Sequence, residues 1–541
     1  MKILLAYLCN RVDADDYWLS LAPVGLVSLA ACLEGAGHDV TLANFSKRGY
    51  RAGAREAAAI APEAVGVSIF THNRAEALAF VREVKKLLPA ATVIVGGPHA
   101  SFLAGEILRR VPAVDYVVTG EAEHAVIDLI NTLKKGTVPP ARIIPGGRIA
   151  HIDTLPAPGL FGGRLLYVDP NEQFKYLVTS RGCAHACVFC SSPGFWLRTT
   201  SFRSARDIVD EMRRLHDAYG IIYFSIRDDN FTQKKGRVME FARLLGSSGM
   251  YVMWNCQARV DAVDREMLVA MKRAGLEHIQ YGVESGSPAV LARYDKKTSA
   301  EAIVRTAEAT RAAGIYLSIY LMAGMAGETH ADIRKTVALI RKILPGDGIV
   351  SPVALYPGTA LYEDEKRAGR IHDADWFSRK DAGIFLRNEP VVAEWMNELL
   401  HAIAQVRGRA WYAEADFRRH RELCGTDCWV TDILEGDYWL DEERTAKARA
   451  AYRRVTESRP RNPWGHFRLG KLSFRDEDFA GAAECYREVT RIVPAFYGGW
   501  LKLAEAQLAL GNRRDARESA REAQRRNAYD ERIRNVLSLL K

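Results

Sequence analysis

Short apolar runs alternate with helical patterns twice along this 541-residue chain, and that alternation restricts the fold more than any other feature. In the first series the runs are KILLAYL, HDVTLAN, AVGVSIF, TVIVGG and DYVVTG. Between them lie stretches such as PVGLVSLAACLEGAG and RAEALAFVREVKKLLP, whose apolar residues recur at helical spacing. Five such βα units predict an open, parallel, doubly wound α/β sheet over residues 1–150. Ligands on such sheets lie outside the carboxyl ends of the strands. Those ends carry Ser68, Phe70, Thr71, Gly96, Gly97, Gly120 and Glu121. No G-x-G-x-x-G follows the first strand, so the dinucleotide fingerprint is missing.

Residues 151–175 are rich in Pro and Gly and read as a linker. The second series follows over 176–375, with strands KYLVTS, IIYFSIRDD, MYVMWNCQAR, HIQYGVES, IYLSIYLMAG and GIVSPVALYP. Six units fall short of a closed eight-stranded barrel and predict a partial (β/α)6 barrel, with its chemistry at the strand C-terminal ends. Residues 376–440, with WYAEADF and DYWL, predict a helical cover and connector. From 441 to 541 the pattern repeats every 34 residues. Pro460 matches Pro494, Ala448 matches Ala482 and Ala516, Tyr452 matches Tyr486, and Val455 matches Val489. That period predicts about three helix pairs of tetratricopeptide type, surfaces that take protein, peptide or a second copy.

Composition sets outer bounds. Hydrophobic residues at 48% and charged residues at 26% are ordinary for globular protein. No apolar run approaches the length of a membrane span. The opening MKILLAYLCNRVDADDY lacks a small-residue cleavage site, so it reads as a first strand and the expected compartment is the cytoplasm. The net charge of +9 sits in helical stretches such as VREVKKLLP, where bases and acids mix. That reads as solvated helix faces rather than a nucleic-acid surface.

Three of the nine cysteines fall within RGCAHACVFC, residues 181–190, spaced C-x3-C-x2-C. A closed zinc site needs four ligands, and no nearby pair supplies the fourth. A [4Fe–4S] cluster usually takes four thiolates, so three would leave one iron open toward the barrel mouth. His185 reads as a spacer. Cys424 and Cys428 read as spare or weakly redox-active, and Cys9, Cys32, Cys256 and Cys485 as small core residues.

CAHACVFC, with Phe189 before its last cysteine, resembles the cluster loop of the radical S-adenosylmethionine (SAM) superfamily. The resemblance implies that Cys183, Cys187 and Cys190 hold a [4Fe–4S] cluster whose open iron chelates SAM. Reductive cleavage would then yield a 5′-deoxyadenosyl radical, with a flavodoxin or ferredoxin as electron donor. RDDNF offers Asp228 and Asp229 for the SAM amino group, although the usual Gly-Gly-Glu is missing. GVESG offers Glu284 and Ser285 for the ribose, and MAGMAGET offers Gly324 and Gly327 for the adenine. Arg259 is a candidate for the SAM carboxylate or for a surface salt bridge.

The first segment resembles the cobalamin-binding domain that precedes many such barrels, through PVGLVSLAACLEGAGHDV, GVSIFT, VGGPHAS and VDYVVTGEAEH. Ser68-Ile69-Phe70 and Gly96-Gly97 stand where those domains cradle the nucleotide tail. The D-x-H-x-x-G loop that supplies an axial histidine is absent, since residues 9–22 read CNRVDADDYWLSLA. His72 and His99 lie near the expected face. The implication is cobalamin without the usual histidine ligand, or a domain that no longer binds it. With both cofactors, the family's commonest reaction is methylation of an unactivated carbon in a small molecule or peptide. The alternatives are oxidative cyclisation or rearrangement, as in anaerobic magnesium-protoporphyrin cyclase, and a non-catalytic iron–sulfur scaffold or sensor with protein-binding repeats. No catalytic acid or base is assigned.

Overall fold

The computed structural model describes residues 1–9, 21–378, 383–410 and 412–541. The five anticipated strands of the first sheet are β1 Lys2–Tyr7, β2 Asp39–Asn44, β3 Ala64–Ser68, β4 Thr92–Gly96 and β5 Tyr116–Thr119. Two more join them, β6 Ile143–Pro145 and β7 Arg164–Leu166, giving the order β6-β5-β4-β3-β1-β2-β7 with every pair parallel. The added strands are three residues long and largely exposed, so they carry no apolar run to read. β7 lies within the segment expected to be a linker and pairs with β2 from Thr41↔Arg164 onward. The strand order reverses between β1 and β3, where an open sheet leaves a crevice at its carboxyl edge.

The second sheet contains β8 Tyr176–Leu177, β9 Tyr223–Ile226, β10 Met253–Ala258, β11 Leu276–Glu284, β12 Tyr316–Ala323 and β13 Asp347–Pro352. Each strand pairs in parallel with the next in sequence, the arrangement of a partial barrel. Crossover helices are delimited locally. Ser204 caps the helix Ala205–Tyr219 by accepting from Asp207 N, and Gly220 ends it in the left-handed conformation.

One apolar core continues from the helix Val24–Gly35 of the first domain through Trp254 and Ile279 of the barrel to Trp429 and Tyr452 of the C-terminal helices. The other face of the first sheet is covered partly by Tyr362 and Trp376 from beyond the barrel. Trp376 stacks under the Arg74 guanidinium at 4.7 Å.

The C-terminal region is helical. Helices Thr445–Ser458, Phe479–Ile492 and Arg513–Arg526 are followed by Pro463–Arg475, Tyr497–Ala509 and Glu531–Leu539, so equivalent helices start 34 residues apart. Ala448, Ala482 and Ala516 are fully buried between them. The rings of Tyr452 and Tyr486 lie against Gly436 and Gly470, where an added Cβ would come within 2.2 and 2.7 Å of those rings. Gly436 belongs to the helix Trp429–Asp441, so the 34-residue register begins inside the segment expected to be the connector. The array meets the rest of the chain at its helix ends, with Trp464 Nε1 donating to Tyr251 O of the barrel at 3.1 Å and Asn527 Nδ2 to Asp169 Oδ2, in the segment before β8, at 3.1 Å. Cys424 and Cys428 are buried there, and Cys424 Sγ contacts Ala313 O at 3.6 Å. Among the described residues no helix is long and apolar enough to cross a membrane.

Candidate functional site

The three-cysteine loop leaves β8 and is fastened at both ends. Asp228, fully buried just past β9, accepts from Thr179 N at 2.5 Å, Thr179 Oγ1 at 2.6 Å and Ser180 Oγ at 2.6 Å. The Arg237 guanidinium balances its charge at 3.4 Å. Farther along, Val188 N donates to Tyr294 O at 3.1 Å and Leu361 N to Val188 O at 3.1 Å. Phe189 packs edge-on to Tyr294 at 5.2 Å beneath the Lys296 ammonium, so the aromatic anchors the loop. Gly182 has φ +87, and a Cβ there would lie 2.2 Å from Thr199 O.

Cys187 is buried, while Cys183 and Cys190 are partly open. Burial pushes the Cys183 thiol upward and the Cys190 thiol up to about 12. Cys190 lies within electrostatic reach of Cys183 and Cys187. Among the described residues no three His, Cys, Asp or Glu side chains are grouped closely enough for a single metal ion.

The other barrel candidates occupy a polar network at the strand ends. Arg259, 5% exposed, approaches Cys187 Sγ at 3.6 Å with Nη1 and binds Asp261 through Nε and Nη2 at 2.9 and 2.8 Å. Its Nη2 also donates to Lys296 O at 2.6 Å. It is therefore a buried bridge rather than a surface salt bridge. Glu284, at φ +67, ion-pairs with Lys296 at 2.8 Å. Ser285 Oγ meets Thr336 Oγ1 at 3.2 Å. Gly324 N and Met325 N donate to Glu328 Oε2 at 2.7 and 3.1 Å. Gly327 lies beside the Arg293 guanidinium. Lys296 and Glu328 were not singled out from sequence; a charged residue on a loop gives no local sign that it will be buried.

A cavity of about 420 Å³ separates the first sheet from the cysteine loop. Ser68, Phe70, Gly96, Gly97, Gly120 and Glu121 line it from the sheet, and Cys190, Ser192 and Asp229 from the barrel. It runs inward past Leu5, Gly66, Ile94, Val126 and Ile130, an apolar slot between strands and helices. Gly97 sits at φ +91, where a Cβ would lie 2.9 Å from Ile69 O and Ser68 Oγ. Asp229 opens on the cavity and accepts from Ser192 Oγ at 2.5 Å, and burial pushes its carboxyl upward. The adjacent Asp228 and Asp229 thus face different ways, one fastening the loop and one lining the chamber.

Several expected contacts are engaged elsewhere. Thr71 Oγ1 meets His99 Nδ1 at 3.0 Å, outside the cavity lining. His99 is buried edge-on to Trp376 at 5.6 Å, and burial pulls its pKa down to about 3. His72 Nε2 meets Tyr7 Oη at 3.1 Å. Neither histidine lines the cavity. Most of the segment that replaces the axial-histidine loop, residues 10–20, lies outside the described residues. Glu121 pairs with Arg181 and Arg148, both at 2.9 Å, while Glu123 pairs with Arg181 at 2.5 Å. Arg181 stands two residues before Cys183, so these ions tie the first domain to the root of the loop.

A family model of the Radical SAM superfamily matches residues 177–340, and one of the B12 binding domain matches residues 14–130. The chain is a radical SAM protein with a B12-binding domain. The cofactors of this two-domain family are a [4Fe–4S] cluster, SAM and cobalamin. Among curated relatives, an uncharacterised methyltransferase of Pyrococcus horikoshii is 25% identical over 63% of this chain and 78% of its own length. The hopanoid C-3 methylase of Methylococcus capsulatus is 28% identical over 68% and 73%. The anaerobic magnesium-protoporphyrin IX monomethyl ester cyclase of Rubrivivax gelatinosus is 23% identical over 56% and 58%, so the chain spans little more than half of that enzyme. The fold is that of the radical SAM methyltransferase TsrM from Kitasatospora setae, with a TM-score of 0.60 at 18% identity over 84% of this chain and all of TsrM. The cobalamin-dependent radical enzyme OxsB gives a TM-score of 0.57 at 14% identity over all of this chain and 84% of OxsB.

Proposed function

We propose that this radical SAM enzyme methylates an unactivated carbon of its substrate, with Cys183, Cys187 and Cys190 holding the cluster and the first domain holding cobalamin. The observation that carries this reading is the single cavity lined both by Ser68, Gly96 and Gly97 and by Cys190 and Asp229. A methyl carrier and a radical source that act on one substrate atom need one chamber. When bound, the cluster supplies the electron that opens SAM, and cobalamin carries the methyl group. A low-potential protein of flavodoxin or ferredoxin type would deliver that electron.

The chain's own residues divide the remaining tasks. Gly96 and Gly97 let backbone approach a ligand that side chains would block. The slot beside Leu5, Val126 and Ile130 excludes water from that ligand's buried end. Asp229, steadied by Ser192, offers a carboxylate to an ammonium group, whereas Asp228 is spent on fastening the loop. Arg259 is committed to Asp261, Lys296 and Cys187, so it serves the cluster loop rather than the SAM carboxylate. Glu284, Ser285, Gly324 and Gly327 stand at or just past the ends of β11 and β12, the positions proposed for ribose and adenine. Methylation is preferred to cyclisation because the relatives include a hopanoid C-3 methylase and a cytidylyl-2-hydroxyethylphosphonate methyltransferase, each spanned to 73% of its length, beside cyclases spanned to 54–60%.

The test is anaerobic reconstitution with cobalamin, reductant and methyl-labelled SAM, followed by mass analysis of extract from cells lacking the protein. Labelled product together with 5′-deoxyadenosine supports the proposal. An unlabelled product that has lost hydrogen points to cyclisation. A fully occupied cluster that yields no 5′-deoxyadenosine sinks the enzymatic reading.

A further inference from the structure

The helical array holds most of the chain's excess charge. Residues 441–541 contain 22 Lys and Arg against 15 Asp and Glu, within a net charge of +9. Many of these arginines are satisfied internally. Arg449 pairs with Asp476 at 2.7 Å, Arg454 with Asp432 at 3.0 Å, Arg468 with Asp437 at 2.9 Å and Arg491 with Glu488 at 2.8 Å.

Arg453, Arg487 and Arg521 differ. All three are exposed, and among the described residues none makes an ion pair. They are spaced 34 residues apart on Thr445–Ser458, Phe479–Ile492 and Arg513–Arg526, so each holds the same place on the second helix of successive pairs. Each follows an inward residue, namely Tyr452, Tyr486 and Ala520. Equal register gives the three guanidiniums a common outward direction. Beside Arg453, small Ala446 and Ala450 leave the face of that helix open to a ligand.

We propose that this row of guanidiniums docks an acidic segment of a partner protein. The planar fork of Arg matches carboxylates bidentately, and a regular row selects carboxylates that recur along one chain. Exposed Glu457, Glu484 and Glu518 lie on the same helices, each within four residues of a row arginine. They would repel an unbroken phosphate backbone, whereas a peptide can meet them with its own donors; the row therefore fits a protein better than a nucleic acid. The surface stands apart from the cofactor cavity and adds a recruiting role to the enzyme.

The test uses the full chain and fluorescence anisotropy with a labelled peptide of Glu-Glu-Lys repeats, acidic overall but carrying donors for the glutamates, beside a labelled single-stranded oligonucleotide. The R453E/R487E/R521E variant is expected to bind the peptide about tenfold more weakly. The control R461E/R475E/K541E, with the same change in charge off the row, is expected to lose less than about twofold. Both variants should still form 5′-deoxyadenosine at the native rate and keep the native melting temperature. Equal losses in the two variants, no peptide binding, or tighter binding of the oligonucleotide would overturn the proposal. So would self-association by light scattering that the row variant abolishes, since the occupant would then be a second copy.

Discussion

At the shared cavity the first sheet contributes Gly66, Gly96, Gly97 and apolar side chains, whereas the barrel contributes Cys190, Ser192 and Asp229. The sheet side is shaped by missing side chains: at Gly97 even one methyl group would collide with Ile69 O. Behind the barrel side, off the cavity lining itself, the cysteine loop and strand ends are held by charges paired internally, in the sets Asp228–Arg237, Arg259–Asp261 and Glu284–Lys296. A cradle tolerates no added volume, and a charge network tolerates no removed partner. The two halves should therefore fail to different substitutions.

Four substitutions test that difference, from the largest expected effect to the smallest. Cys187→Ala should abolish iron retention and 5′-deoxyadenosine formation while cobalamin uptake persists, read by iron assay and the cobalamin spectrum. Loss of both cofactors together would break the division between the halves. Asp228→Ala strands the buried Arg237 and releases Thr179 and Ser180, so thermal or urea unfolding should show a loss of about 3–5 kcal/mol. A change below about 1 kcal/mol would mean that the fastening is unimportant.

Gly97→Val should cost cobalamin affinity at least about tenfold, because it joins a β-branched side chain to φ +91 in a site without room. Equilibrium titration measures this, with the cluster spectrum as an unaffected control. Arg259→Lys keeps the charge but cannot reach Asp261, Lys296 O and Cys187 Sγ together. If Cys187 holds the cluster as proposed, losing the hydrogen bond to its Sγ should lower the cluster potential by about 20–60 mV in a redox titration. An unchanged potential would return Arg259 to a purely structural role.

Legibility followed the same line. Buried parallel strands read as unbroken apolar runs, so all eleven anticipated strands of the two sheets are present, from KILLAYL to GIVSPVALYP. The exposed edge strands Ile143–Pro145 and Arg164–Leu166 carried no such signal. Strand-end glycines were legible because their position alone marks them. The partners of the charges were not: that Glu121 and Glu123 meet Arg181, or Glu284 meets Lys296, depends on how the chain folds back over tens of residues. The 34-residue period was legible from Ala448 onward, but its extension to Gly436 emerged only from the ring of Tyr452 lying against that glycine.

Both cofactors are proposed to occupy one chamber between the sheet and the cysteine loop. Pulsed electron paramagnetic resonance on protein carrying cob(II)alamin and the reduced cluster tests it most directly, without needing a substrate. A resolved magnetic coupling between the two centres is predicted, lost in Gly97→Val as cobalamin leaves. Two fully occupied centres with no coupling would contradict the account.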